Sequence, residues 1–291
     1  MGTDIFLGDA LAGKSVLVTG GGSGLGKEIT RALVAKGATV HICGRRANVL
    51  EETAKEIGAN VYWHICDVRD PESVDAMVDA IWAVGPLTGL VNNAAANFIA
   101  PTKDLSPRGF RAVTSTVMDG TFHVTLALGK RWIAEGIKAS VVSNLVTWVW
   151  SGSAFVVPSA MAKTALHAMT MSLAVEWGKY GIRLNATAPG PFPTPGAWEK
   201  LNPIPEAKSS ATGTETVPLG RFGQMHELEN LIIFLLSDGC DYLTGQTIAI
   251  DGAQHLAQPG TFADLSHLTD AQWQAAREAI AASTQREKAD R

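Results

Sequence analysis

Two groups of residues in this 291-residue chain have types and spacing that could do chemistry. The first is Gly20, Gly21, Gly22, Ser23, Gly24, Leu25 and Gly26. Glycines at that density let a turn tighten and let an anion approach the backbone. A helix opening behind them offers free N–H groups and a positive dipole end to phosphates. The second is Arg45 beside Arg46, directly after Gly44. In a dinucleotide-binding unit an acid at the end of the second strand selects a free ribose 2′-hydroxyl, whereas a guanidinium accommodates a 2′-phosphate. There is no acid here, so the expected cofactor is NADP(H). A solvated basic loop is the alternative reading of the two arginines. Residues 8–15 also match G-x-x-x-x-G-K-[ST], a phosphate cradle. That cradle must follow a strand, and here the apolar strand comes after it, so the match is rejected.

The glycine turn needs a strand in front and a helix behind. Val16, Leu17 and Val18 supply the strand, and the apolar spacing of residues 27–34 supplies the helix. A second strand is expected over 39–43. A third, over 61–66, runs into Asp67 and Val68, and Pro71 opens the following helix, which extends to about 84. A fourth strand over 87–91 leads into Asn92, Asn93, Ala94 and Ala95. One long helix is expected over 109–135, a fifth strand over 140–143, and a second long helix over 157–178 carrying Ser159 and Lys163. The sixth strand, 182–187, ends in Pro189, Gly190, Pro191 and Phe192. Residues 191–219 are rich in Pro, Gly, Ser and Thr and read as a substrate lid. A helix over 225–237, a last strand over 247–250 and a C-terminal extension from about 253, with a polar helix over 268–284, complete the chain. Strands alternating with helices predict an α/β fold: one doubly wound parallel sheet, a Rossmann fold, forming a single domain over 1–291.

Composition narrows the function. At 46% hydrophobic and 18% charged residues the chain can build a large core. A net charge of -4 argues against nucleic acid. No apolar run reaches the roughly 18 residues needed to span a bilayer. The N-terminus has no basic-then-apolar signal, and the expected compartment is the cytoplasm. Cys43, Cys66 and Cys240 are widely spaced and read as buried thiols. The seven histidines show no metal-ligand spacing, so no metal is expected.

Residues 91–101, 152–163, 173–183 and 189–192, with 268–273 in the tail, carry a resemblance. The whole chain resembles the short-chain dehydrogenase/reductases, and among them the 2,4-dienoyl-CoA reductases most. The resemblance implies that Gly20 to Gly26, Asp67, Val68, Asn93, Ala94, Ala95, Pro189, Gly190 and Phe192 line the cofactor. It implies that Lys163 holds the nicotinamide ribose. It also implies an acyl-CoA substrate and a homotetramer built through the two long helices. The family works with Asn, Ser, Tyr and Lys. Here those positions hold Asp119, Val146, Ser159 and Lys163, so only the lysine matches. The dienoyl-CoA reductases use a different Tyr, fifteen residues before the Lys, and that position holds Trp148.

This departure decides the chemistry. Reducing a ketone requires an acid to protonate the nascent alkoxide, and neither an indole N–H nor a serine hydroxyl is a good acid near neutral pH. Conjugate reduction of an unsaturated thioester requires only a hydrogen-bond donor at the enolate oxygen, worth about 2.7–4 kcal/mol in the transition state. Trp148 or Ser159 can be that donor. Each catalytic candidate also has a structural reading. Trp148 and Trp150 can cap a core, and Ser159 can be a helix N-cap. Asp119 lies four residues before His123, which permits a proton relay or a solvated pair. Lys200, in the expected lid, can meet a CoA phosphate or be a surface lysine.

Overall fold

The computed structural model describes residue 6 and residues 8–193, 214–257, 269–272 and 274. The chain divides into two compact units, Met1–His255 and Leu256–Arg291. In the second unit residues 270–272 are helical, and Thr269 N donates to Gln272 Oε1 at 2.8 Å. The rest of the polar helix expected over 268–284 lies largely outside the described residues, as does most of the expected lid with Lys200.

The first unit is built on seven strands: β1 (Ser15–Thr19), β2 (Thr39–Gly44), β3 (Val61–Ile65), β4 (Gly89–Asn92), β5 (Ala139–Asn144), β6 (Ile182–Pro189) and β7 (Thr247–Ile250). They form one sheet in the order β3-β2-β1-β4-β5-β6-β7, and every pairing is parallel. The strands read as continuous apolar runs because both faces are covered. On one face Val16, Val18, Val40 and Ile42 pack against α1 (Gly24–Ala35), α2 (Ala47–Ile57) and α8 (Met225–Leu236). On the other, Leu17, Leu90, Val141 and Leu184 pack against α3 (Pro71–Trp82), α5 (Gly120–Glu135) and α7 (Val157–Trp177). Strand β1 has β2 on one side and β4 on the other, so the crossover direction reverses there and opens a crevice at the strands' C-terminal ends.

The helix expected over 109–135 differs in one respect. It is α4 (Pro107–Thr114), then a wide π turn over Ser115–Asp119, then α5. Three consecutive hydroxyls explain the widening. Thr114 Oγ1 donates to Phe110 O at 3.2 Å, Ser115 Oγ to Arg111 O at 2.5 Å and Thr116 Oγ1 to Ala112 O at 3.2 Å. Each competes with a backbone N–H for the same carbonyl. Helix α2 and the one-turn α6 (Trp148–Ser151) went unforeseen in the sequence.

Candidate active site

The phosphate turn is made almost wholly of backbone. Gly20 sits at φ 68°, where an L side chain is strained, and its N–H donates to Cys43 O at 2.9 Å. At Gly26 a Cβ would stand 2.3 Å from Gly20 O and 2.6 Å from Asn93 Nδ2, so helix α1 can approach the turn only through a glycine. Around Gly24 there is open space. Ser23 is the N-cap of α1, yet its side chain makes no capping bond, so its hydroxyl and the first-turn amides are free for a phosphate. Gly22 packs on Leu50, and Leu25 turns into the core.

Thr19 fastens this turn to β4. Its Oγ1 accepts from Asn93 N and Ala94 N, both at 3.0 Å, and Asn93 Nδ2 donates to Thr19 O at 3.2 Å. Ala95 follows, exposed at the rim. Arg45 and Arg46 are exposed at the end of β2, and neither guanidinium forms a hydrogen bond or ion pair with a described residue. At the end of β3, Asp67 is gripped by Arg69, whose Nε lies 2.8 Å from Asp67 Oδ1. The Arg69 guanidinium holds the Asp67 carboxyl below its usual range. Val68 is buried against Gly120, where a Cβ would come within 2.6 Å of Val68 Cγ2. Pro189 ends β6. Gly190 N donates to Ile250 O at 3.0 Å, and Phe192 is buried against Gly223.

Lys163 is buried, and its Nζ donates to Asn144 O. Burial lowers its pKa to about 8. The Asn144 side chain extends the connection. Its Nδ2 donates to Asn93 Oδ1 at 3.2 Å, and its Oδ1 accepts from Thr187 Oγ1 at 3.2 Å. Hydrogen bonds thus run without a break from Thr19, through Asn93 and Asn144, to the ammonium. The sequence signal for Thr19, Asn144 and Thr187 was weak: single polar residues at the ends of apolar strands. Arg69 gave no signal beyond standing two residues after Asp67.

Helical spacing separates the other candidates. Ser159, Lys163, Leu166 and Thr170 form one buried strip of α7. Ser159 is 5% exposed, and its hydroxyl has no hydrogen bond to a described residue. It is not the cap of α7, because the N-cap is Val156. Trp148 faces a different strip. It lines a cavity of about 480 Å³ with Val157, Ala160, Met161 and Thr164, and its indole N–H has no partner among the described residues. Trp150 is exposed and lies 4.9 Å from the His255 ring. Asp119, the last residue of the π turn, lines a cavity of about 280 Å³ with Phe122, His123, Ala165, Leu166 and Met169. His123 turns to Val68 O, with Nδ1 at 3.1 Å, rather than to Asp119. No hydrogen bond joins Trp148 or Asp119 to Lys163. Cys43, Cys66 and Cys240 are free and buried, and no group of three metal-ligating side chains occurs among the described residues. Nor does any described helix have the length and apolarity to cross a membrane.

A family pattern described as enoyl-(acyl carrier protein) reductase matches residues 20–255. A probable (3E)-enoyl-CoA-producing 2,4-dienoyl-CoA reductase of Caenorhabditis elegans is 40% identical over 288 residues, covering 96% of this chain and 93% of the relative. A probable (2E)-enoyl-CoA-producing 2,4-dienoyl-CoA reductase of Bacillus subtilis is 42% identical over 248 residues, covering 84% and 97%. Among solved structures, a short chain dehydrogenase from Bacillus anthracis superposes with a TM-score of 0.76 at 39% identity, covering 84% of this chain and 98% of that one. The chain belongs to the short-chain dehydrogenase/reductase family of oxidoreductases.

Proposed function

We propose that this protein is an NADP(H)-dependent reductase of a C=C bond in an unsaturated acyl-CoA, in the manner of a 2,4-dienoyl-CoA reductase. The carrying observation is Ser159: a residue only 5% exposed, its hydroxyl without a partner among the described residues, one helical turn before Lys163 on the same strip of α7. The residues around the glycine turn fit the cofactor. Ser23, Gly24 and the first turn of α1 offer room and free donors for a pyrophosphate, and Arg45 and Arg46 offer unpaired charge for a 2′-phosphate. Asn93, Ala94, Pro189, Gly190 and Phe192 bound the far side of the crevice, and Lys163 holds the ribose. Asp67 and Val68 bound the adenine end.

The cofactor, when bound, supplies a hydride. As the far carbon of the conjugated thioester gains it, an electron pair moves to the thioester oxygen. Ser159 Oγ–H donates a hydrogen bond to that oxygen without giving up its proton. Carbon is then protonated by water, and the carbonyl re-forms. Lys163, charged below about pH 8, adds a positive field on the same side. Trp148 shapes the outer wall by this reading, and Asp119 stays outside the chemistry.

The test is loss of nicotinamide absorbance when a panel of enoyl- and dienoyl-CoA thioesters is added to protein with NADPH. Turnover of a dienoyl-CoA supports the reading. Tight NADPH binding with no turnover across the panel sinks it and leaves a cofactor-binding scaffold. Product analysis then distinguishes (2E)- from (3E)-enoyl-CoA.

A homotetramer belongs to the same proposal. The outer strip of α7, with Met161, Thr164, Ala168, Met171 and Val175, is exposed and carries no charge, and Phe122 of α5 is exposed as well. Val175→Glu is expected to shift the molar mass measured by light scattering towards smaller species.

A further inference from the structure

Arg69 takes no part in the phosphate contacts or the chemistry above, yet it is committed to one carboxylate. Its Nε lies 2.8 Å from Asp67 Oδ1 and 3.0 Å from Oδ2, its Nη2 donates to Oδ2, and its backbone N donates to Oδ1 at 3.1 Å. This is a two-pronged grip that a lysine cannot reproduce. The side chains are partly open to solvent, at 41% for Arg69 and 30% for Asp67, so the pair adds little to stability. Its value lies in where it stands. Cys66 N donates to Gly44 O at 2.9 Å, so Asp67 and Arg45 each leave adjacent strands one residue past that bond. Arg45 is close enough to act on the Asp67 carboxylate. A negative charge beside Arg45 and Arg46 would repel a dianionic 2′-phosphate and favour a free 2′-hydroxyl.

We propose that Arg69 is a specificity-determining residue: by neutralising Asp67, it lets Arg45 and Arg46 favour the 2′-phosphorylated dinucleotide. The inference rests on the NADP(H) reading above. Arg69 touches Asp67 and acts through it, so it positions charge and is not a catalytic group.

The test is binding of NADPH, NADH and adenosine 2′,5′-bisphosphate to the full-length protein and its variants, at low salt and at about 0.5 M salt. Arg69→Ala is expected to weaken NADPH and the bisphosphate by about three- to tenfold, while NADH stays within about twofold. Asp67→Asn added to Arg69→Ala restores the NADPH preference, because no charge is left to neutralise. High salt shrinks the effect of Arg69→Ala. Arg69→Ala weakening NADPH and NADH equally would make Arg69 a mere shaper of the loop and overturn the proposal. Failure of the double variant to recover the preference would overturn it as well. Should the unaltered protein bind NADH as tightly as NADPH, the cofactor reading falls first, visibly, before any variant is made.

Discussion

The two ends of the crevice are built from different materials. At the β1–α1 end the groups suited to a dinucleotide are main-chain amides, glycines without side chains, and unpaired arginines. At the β5–α7 end the proposed work falls on two side chains, Ser159 and Lys163, and neighbours expected from the resemblance are replaced by Val146 and Asp119. A site made of backbone survives most substitutions, because only the glycines are constrained. A site made of side chains changes its chemistry with one residue. The fold and the cofactor end can therefore stay fixed while the catalytic end drifts from acid catalysis to hydrogen bonding.

The sharpest way to break this contrast is Ser159→Ala. It is expected to lower kcat by about 100- to 1000-fold while leaving NADPH affinity unchanged, the cost of one enolate-oxygen donor. Trp148→Phe should change kcat by less than about threefold. The opposite pattern in steady-state kinetics would transfer the role to the indole. Next in size is an acid effect at the cofactor end. His41 is buried on β2, with Nδ1 3.0 Å from His64 Nε2 across the strand pair. Burial first, and then the charge of His64, hold its pKa down to about 4. Its unfolded value is near 6.5, so the unfolded chain binds more protons between these limits. Stability is fully present above about pH 6.5 and is lost as pH falls towards 4, by about 3 kcal/mol for this group. Urea titrations across that range check it, and His41→Leu should flatten the slope.

Lys163→Met touches both ends. It leaves Asn144 O without its partner in a buried place, at a cost of about 1–3 kcal/mol in denaturant unfolding. In the unaltered protein kcat/KM should fall as pH rises through about 8, where the ammonium loses its charge. The smallest effect lies away from both ends. Glu229 on α8 is half-buried and faces Glu28 on α1, and burial followed by that repulsion raises its pKa to about 7. A raised carboxyl pKa means stability is gained as pH falls from about 7 towards the unfolded value of roughly 4.3. Glu229→Gln should raise Tm at pH 8 by about one or two degrees, with no change in kcat.

The sheet was legible because seven apolar runs alternate with helical spacing, and each expected strand lies within about two residues of its observed place. The glycine turn was legible because its constraint is steric and local. The π turn was not: it arises from Thr114, Ser115 and Thr116 competing for carbonyls, which pattern reading takes for ordinary helix. Nor could spacing alone separate Ser159 from Trp148. Their placement at different strips of α7 rests on the helix beginning behind the cap at Val156 and on the cavity that the indole lines. Asn144 and Arg69 act through neighbours brought close only by strand pairing, so no linear pattern announces them.

The Thr19–Asn93–Asn144 chain has a consequence for how such a pocket can change. Asn144 ties three adjacent strands together and gives its carbonyl to the ammonium, so Lys163 is also a piece of the scaffold. Ser159 has no such tie, and exchanging it disturbs nothing else in the hydrogen-bond pattern. The architecture leaves the acid position open to experiment while anchoring the cation, so new reactions can be tried on it without first risking the fold.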